Sequence, residues 1–210
     1  TGDWVLVLDA DETLNERIIP TLKTAIANEQ ALVVNLMRHE MGSRQSPYSL
    51  VSRLFRRHPQ LTFTRPYHES IDDSVLTLLE TEPDWQVLNL AGVAIHHKGY
   101  TPELLQQRQK SQRAKALLEK AHHQAPHDPY VCNKLGALYL SMGDDKEGLK
   151  LLKQGLKSNT ASSPIRFELH YHLANAFREQ KKWELARKHY QKALNEEMLL
   201  PLKLEALLNY

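Results

Sequence analysis

Small residues recur at a nearly constant interval in the second half of the chain. Ala114 and Gly148 are 34 residues apart, and Ala186 follows Gly148 after an interval that is four residues longer. Each of them lies in a segment whose apolar residues have helical spacing. Because a small residue at a fixed place lets two helices approach closely, this half of the chain is constrained to fold as stacked helical repeats.

The interval of about 34 residues is that of the tetratricopeptide repeat, a unit of two helices. Two sets of small residues have the same internal spacing. The first set is Gly136, Gly148 and Gly155, and the second is Ala174, Ala186 and Ala193. The four extra residues fall in the segment 159–164 (NTASSP). A generic amphipathic bundle is the alternative, but it does not explain these matching positions. Residues 199–210 predict the first helix of a further repeat, cut short by the end of the chain.

The first half begins with an apolar run that ends in acidic residues. Asp9, Asp11 and Glu12 come after the segment 4–8 (WVLVL). Such a run predicts a buried parallel strand that delivers carboxylates to the rim of a cleft. Because side chains two apart in an extended segment point to the same side, Asp9 and Asp11 are expected to face one divalent cation. The alternative is a strand that ends in a solvated acidic turn.

Residues 1 to about 100 combine strand and helix signals. Helical spacing covers 16–29, strands are predicted at 31–37, 48–55 and 86–96, and residues 61–67 form a short edge piece at best. From about residue 102 the pattern is helical alone. The predicted domains are therefore an α/β domain at 1–101 and an all-α repeat domain at 102–210.

Four segments of the first half resemble motifs of the family 2 glycosyltransferases that carry a tetratricopeptide tail. They are 1–12 (TGDWVLVLDADE, with the family's D-x-D motif), 54–59 (LFRRHP), 67–70 (YHES) and 95–100 (IHHKGY). The resemblance implies a partial GT-A (Rossmann-like) domain. Enzymes of this family carry a nucleotide-binding βαβ half before the D-x-D strand. The chain is therefore expected to be a carboxy-terminal fragment without transferase activity of its own.

The resemblance also implies the ligands of a metal and a donor. Asp11 is expected to bind Mn²⁺ or Mg²⁺, and Asp9 to lie toward the nucleotide-sugar donor. His97, from the family's H-x-G-Y element, is expected to add a metal or diphosphate contact, whereas His96 points to the opposite face of the strand. The alternative is that both histidines are hydrogen-bonded at a domain junction. Glu12 is expected to face solvent or to cap the following helix.

Three residues are candidates for the remaining chemistry. Glu69 is the candidate general base, because an inverting transferase needs a carboxylate to take the proton of the acceptor hydroxyl. A surface salt bridge is the alternative for Glu69. Arg53 and Arg56 are candidates to bind the diphosphate or the acceptor, since a guanidinium binds such oxygens with two donors. Each of the two is otherwise an ordinary surface arginine.

Composition excludes several classes of function. The net charge is +2, and basic and acidic residues are interspersed, so no nucleic-acid binding is predicted. The single cysteine, Cys132, excludes an intramolecular disulfide and fits the reducing cytoplasm. No apolar run is long enough to predict a transmembrane segment.

Two functions from different classes fit these patterns. The first is a metal-dependent inverting glycosyltransferase that moves a sugar from a nucleotide-sugar donor to an unknown acceptor hydroxyl. The second is a tetratricopeptide interaction module that binds a protein partner in its groove without catalysis, and it suits a fragment better. A sugar-phosphate nucleotidyltransferase also uses paired acids, but it would carry a glycine-rich signature at its amino terminus.

Overall fold

The computed structural model describes residues 2–43, 47–65, 69–98 and 104–210, with side chains described from residue 111 onward in the last range. The chain divides into two compact units, 1–102 and 103–210.

The first unit is a mixed sheet with helices. Its strands are β1 Trp4–Leu6, β2 Glu12–Leu14, β3 Ala31–Glu40, β4 Tyr48–Arg56 and β5 Gln86–His97, and its helices are α1 Ile19–Ile26 and α2 Asp72–Thr81. The strand order is β1-β4-β3-β5-β2. Strands β3 and β5 pair in parallel, and the other pairs are antiparallel.

Strand β3 is the centre of this unit, and both of its faces are buried. Val34 packs in a cluster with Leu22 of α1, whereas Val33 packs in a second cluster with Val75 of α2. Successive side chains of a strand point to opposite faces. The two helices therefore cover opposite faces of the sheet, which gives the α/β layering. One parallel pair among antiparallel ones does not by itself identify a GT-A domain.

The acidic motif does not follow a buried parallel strand, so that prediction is wrong. Strand β1 has three residues, lies at the edge of the sheet and is antiparallel to β4. Asp11 lies in a turn, and the amide of Glu12 donates to the carbonyl oxygen of Asp9 across 3.0 Å. A short apolar run does not show whether a strand lies at the edge or at the centre of a sheet. Strands in either place can bury one face or both.

Two other segments differ from their sequence-based descriptions. Helix α2 was not predicted, although Val75 and Leu78 have the spacing of a helix and are buried. The edge piece at 61–67 contributes an isolated bridge, Thr64 with Ser70, in the part of it that is described. Residues 66–68 lie outside the described residues.

The second unit consists of helices. They are α3 Leu104–Gln124, α4 Pro129–Ser141, α5 Asp145–Gly155, α6 Ser163–Glu179, α7 Trp183–Leu194 and α8 Leu200–Asn209. Helix α4 begins after Asp128, whose carboxylate accepts from the amides of Tyr130 and Val131. The turns after α4 and α6 each place a residue in the left-handed region, Gly143 and Lys181. These turns are 38 residues apart, so the two helical pairs repeat each other.

The predicted small residues lie where the helices meet. A Cβ atom added at Gly148 would lie 2.7 Å from Leu140 Cγ and 3.0 Å from the carbonyl oxygen of Gly136. One added at Gly155 would lie 3.1 Å from the Cβ of Cys132. Helix α5 therefore approaches α4 at the distance that glycine allows, which is the packing expected from the repeat.

Candidate functional sites

Hydrogen bonds that are donated by main-chain amides fix the acidic turn of the first unit. The amide of Asp9 donates to Glu12 Oε2 across 2.9 Å. The amide of Lys98, just beyond β5, donates to the carbonyl oxygen of Asp11 across 3.0 Å. Residues 87 positions apart are thereby joined. The turn carries its carboxylates to the carboxyl end of β5.

Glu12 supports this turn from inside, so the prediction that it faces solvent or caps a helix is wrong. Its side chain has no exposed surface, and its Oε1 lies 2.9 Å from Arg38 Nη1 and 3.6 Å from Arg53 Nη2. A buried carboxylate needs charged or hydrogen-bonding partners. Arg38 supplies one from β3, a strand that the sequence did not connect with the acidic motif.

His97 is brought to the acidic turn. Its Nε2 lies 3.2 Å from Asp11 Oδ2, and its Nδ1 lies 2.5 Å from Glu40 Oε2. His96 instead makes an edge contact with the ring of His39, with ring centroids 5.8 Å apart. Of the two neighbouring histidines, the structure therefore places His97 beside Asp11, as alternation along a strand predicts.

The two candidate arginines of β4 have different surroundings. Arg53 Nη2 lies 2.5 Å from Asp9 Oδ2, so these two predicted site residues are together. Arg56 donates to the carbonyl oxygens of Ala31 and Asn28 and lies 4.9 Å from the ring centroid of Trp4.

The assignment of Arg56 to the site is therefore corrected. Side chains three residues apart in a strand point to opposite faces, so Arg53 and Arg56 cannot serve one cleft on one face. Arg56 has a structural role, because it ties the chain just after α1 to the sheet.

Glu69 is exposed and lies between the undescribed segment 66–68 and the bridge at Ser70. No contact among the described residues joins it to Asp11. The motif residues Tyr67, His68, Gly99 and Tyr100 lie outside the described residues. The role of Glu69 as a general base stays a prediction.

The pair Asp11–His97 fits a hard divalent cation in its donor chemistry and spacing. A separation of 3.2 Å between Oδ2 and Nε2 is close to the roughly 3.0 Å between neighbouring ligands of an octahedral ion with bonds of about 2.1 Å. Half of the Asp11 side chain is exposed, so water can complete the coordination. No group of three or more His, Cys, Asp or Glu side chains suited to a metal occurs among the described residues.

The sequence analysis missed Glu40 and Arg38, which support this cluster. Arg38 Nε forms an ion pair with Glu40 Oε1 at 2.6 Å, and Arg38 Nη1 donates to Glu12 Oε1 across 2.9 Å. The sequence pattern that could have indicated Arg38 and Glu40 is a pair of charged residues, two positions apart, at the end of an apolar strand. That spacing puts both on one face of the sheet.

The second unit carries a polar row across helices α4 and α6. Lys134 Nζ and Asn133 Nδ2 donate to Glu168 Oε2 across 2.6 Å and 2.5 Å. Burial tends to raise the pKa of Glu168, but the charge and hydrogen bond of Lys134 outweigh it and lower that pKa. Glu168 is therefore held as a carboxylate at neutral pH. The ammonium of Lys134 also lies 5.6 Å from the ring centroid of Tyr130.

This row continues along α6. Burial lowers the pKa of His172 to about 4, with opposing contributions from Glu168 and Glu205 of α8, so its imidazole is neutral at pH 7. One turn further, Asn175 accepts a hydrogen bond from Tyr190 of α7. We call the surface formed by Tyr130, Lys134, Glu168 and His172, with the buried amide of Asn133 beneath it, the polar face of α4 and α6.

Comparison with known proteins identifies the repeats. Residues 105–166 and 167–198 each match a tetratricopeptide repeat family model. The second unit therefore contains tetratricopeptide repeats, as predicted. No helix among the described residues is long and apolar enough to cross a membrane.

A TPR repeat-containing protein of Synechococcus elongatus is 42% identical to this chain over 209 residues. The match covers 100% of this chain, so it includes the α/β unit, and 52% of the relative. The chain thus spans about half the length of the curated relative it matches. Nothing in these comparisons identifies a glycosyltransferase domain.

Proposed function

We propose that the tetratricopeptide unit binds a protein partner through the polar face of α4 and α6. The observation that carries this proposal is the row of polar side chains that joins the first helices of two successive repeats. In stacked repeats, equivalent helices line one continuous surface, and such surfaces are used for binding.

The chemistry of this face suits recognition of a polypeptide. Lys134 and Glu168 are partly exposed and hold each other in place. Tyr130 adds an aromatic ring of intermediate exposure beside them. Tyrosine and paired charges on rigid helices are typical of interfaces, because they bury area and lose little side-chain entropy.

The test compares two double variants of the chain in affinity capture from cells of the source organism, followed by mass spectrometry. Tyr130→Ala with Lys134→Ala should lose a specific partner. Trp183→Ala with Leu185→Ala is the matched control, since both side chains are exposed on α7. Loss of the same partner only in the control would contradict the proposal, and so would its retention by both variants.

We propose a second function for the α/β unit within a longer protein: metal-dependent transfer of a sugar from a nucleotide-sugar donor to an acceptor hydroxyl. The specific observation in its favour is the approach of Asp11 to His97 across 3.2 Å. The resemblance of this segment to the D-x-D motif implies a cation ligand at Asp11. A bound Mn²⁺ or Mg²⁺ would stabilise the charge of the leaving diphosphate.

The chain's own residues have distinct parts in this proposal. Asp11 and His97 would hold the ion, and Arg53 orients Asp9 toward the donor side. Glu69 would take the proton of the acceptor hydroxyl. Arg56 is left out because its guanidinium binds main-chain carbonyl oxygens.

In the longer protein, Asp11→Ala should lower the transfer rate at least about a hundredfold, the usual scale for removing a principal electrostatic stabiliser. Asp84→Ala, at an exposed position of the same unit, is the control and should leave the rate unchanged. Full activity of Asp11→Ala at saturating Mn²⁺ and donor would contradict the proposal.

A further inference from the structure

Glu40 is the last residue of β3 and stands beside His97 in the parallel pairing of β3 with β5. The amide of Met41 donates to the carbonyl oxygen of His97 across 2.9 Å, so the two strand ends are joined by the main chain as well. Glu40 is 8% exposed. A carboxylate buried to this extent needs several donors, and the structure provides them.

The two oxygens of Glu40 have different partners. Oε1 accepts from Ser49 Oγ across 3.1 Å and forms an ion pair with Arg38 Nε at 2.6 Å, and the same Nε–H donates to Ser49 Oγ across 3.2 Å. Oε2 lies 2.5 Å from Nδ1 of His97. Because the Ser49 hydroxyl donates to Oε1 and the Arg38 guanidinium is paired with it, the carboxylate cannot rotate freely, and Oε2 stays directed at the imidazole.

We propose that Glu40 is a positioning residue that sets the tautomer and orientation of His97 for a divalent cation at Asp11. An ionised carboxylate only accepts hydrogen bonds, so Nδ1 of His97 carries the proton that it donates to Glu40. Nε2 then presents a lone pair toward Asp11 Oδ2, 3.2 Å away. Two acceptors that face each other at this distance repel unless a cation lies between them, so the arrangement favours a bound cation.

This inference rests on the second proposed function, since that proposal supplies the cation. Metal-ligating histidines generally donate their other ring N–H to a carboxylate or carbonyl oxygen, and loss of that partner weakens metal binding about 10–100-fold. The main-chain bonds of Met41 and Lys98 to this region keep the ring close to the turn. The carboxylate of Glu40 determines which nitrogen can bind the ion.

The substitution Glu40→Gln gives a sharp test. The amide oxygen of glutamine must face the Ser49 hydroxyl, which donates, and the Arg38 cation, so its NH₂ group must face Nδ1 of His97. The preferred tautomer is then inverted, and Nε2 carries the proton. Glu82→Gln is the matched control, because Glu82 is a carboxylate of the same unit that lies near another histidine, His58.

The first measurement needs no metal. Long-range ¹⁵N–¹H spectra of the imidazoles in the full chain at pH 8, assigned with His97→Gln, report which ring nitrogen is protonated. We expect the Nδ1–H tautomer in the parent chain and Nε2–H in Glu40→Gln, with no change in Glu82→Gln. An Nε2–H tautomer in the parent chain would overturn the positioning role of Glu40.

The second measurement is the affinity for Mn²⁺ by calorimetry or by the electron paramagnetic resonance of the free ion. We expect Glu40→Gln to bind about 10–100-fold more weakly than the parent chain, and Glu82→Gln to bind equally well. Equal affinity of Glu40→Gln and parent would overturn the inference.

If the parent chain binds no Mn²⁺, the second proposed function fails, whereas the tautomer still decides whether Glu40 positions the ring. The two failures are therefore distinguishable. If Glu40→Gln does not fold, the parent spectrum alone decides.

Discussion

Replacing Gly148 with alanine should force helices α4 and α5 apart. The added Cβ atom would lie 2.7 Å from Leu140 Cγ and 3.0 Å from the carbonyl oxygen of Gly136. Leu140 can adopt another rotamer, but the carbonyl group is part of the backbone of α4. The helices can accommodate the methyl group only if their axes separate, which opens space elsewhere in the pair.

The expected loss of stability is the balance of two effects. Overpacking of this kind costs about 1–3 kcal/mol. Removing a glycine from a helix stabilises it by roughly 0.5–1 kcal/mol. Because one of the close contacts is with backbone, we expect a net loss of about 1–2 kcal/mol in the free energy of unfolding. With a denaturant slope near 2 kcal/mol per molar of urea, the midpoint should fall by roughly 0.5–1 M.

Urea unfolding followed by the helical circular dichroism signal measures this change. Lys146→Ala is the matched control, since it introduces the same residue at an exposed position of the same helix. The control should stay within about 0.5 kcal/mol of the parent. A Gly148→Ala variant as stable as the parent, or more stable, would refute the close approach of the two helices.

Three further predictions concern the same unit. Ala186 is 3% exposed, so Ala186→Leu should lower the free energy of unfolding by roughly 1–3 kcal/mol, and an unchanged melting temperature would place the helix contact elsewhere. His170 and His189 lie with their Nδ1 atoms 3.0 Å apart, and burial first, then neighbouring cations, lowers the pKa of each to about 4. Because the unfolded chain then binds more protons, stability should fall as the pH decreases from about 6.5 to 4, and a flat pH profile would contradict this. Burial, and then Asp128, raises the pKa of Cys132 to about 11, so a disulfide reagent at pH 8 should label this thiol only after unfolding, and rapid native labelling would contradict its burial.

The repeat unit could be predicted from the sequence because its signal is local and recurs. Gly136 and Gly148 mark a helix contact that depends on side-chain size, and Ala186, at the equivalent place of the next pair, is buried as well. Helix α8 lies where residues 199–210 predicted a helix. The polar face was not predicted residue by residue, since contacts such as Asn133 to Glu168 depend on how successive repeats stack.

The acidic cluster was predicted in part. Strand alternation was enough to separate His97 from His96, but the same rule, applied to Arg53 and Arg56, should have separated them as well. Glu12 was expected to face solvent, but its side chain is buried. The sequence did not indicate this, because its partner Arg38 lies 26 residues away along the chain, in another strand. Such pairing depends on strand order, and a single sequence carries little information about strand order.

The most direct test of the central claim, protein binding through the polar face, is photo-crosslinking in cells of the source organism. A benzophenone amino acid would replace Tyr130 in one variant and Trp183, exposed on α7, in another. We expect a discrete crosslinked protein from position 130 and none from position 183, and we expect the additional substitution Lys134→Ala to weaken the crosslink. Absence of a crosslink from position 130, with a discrete one from position 183, would contradict it.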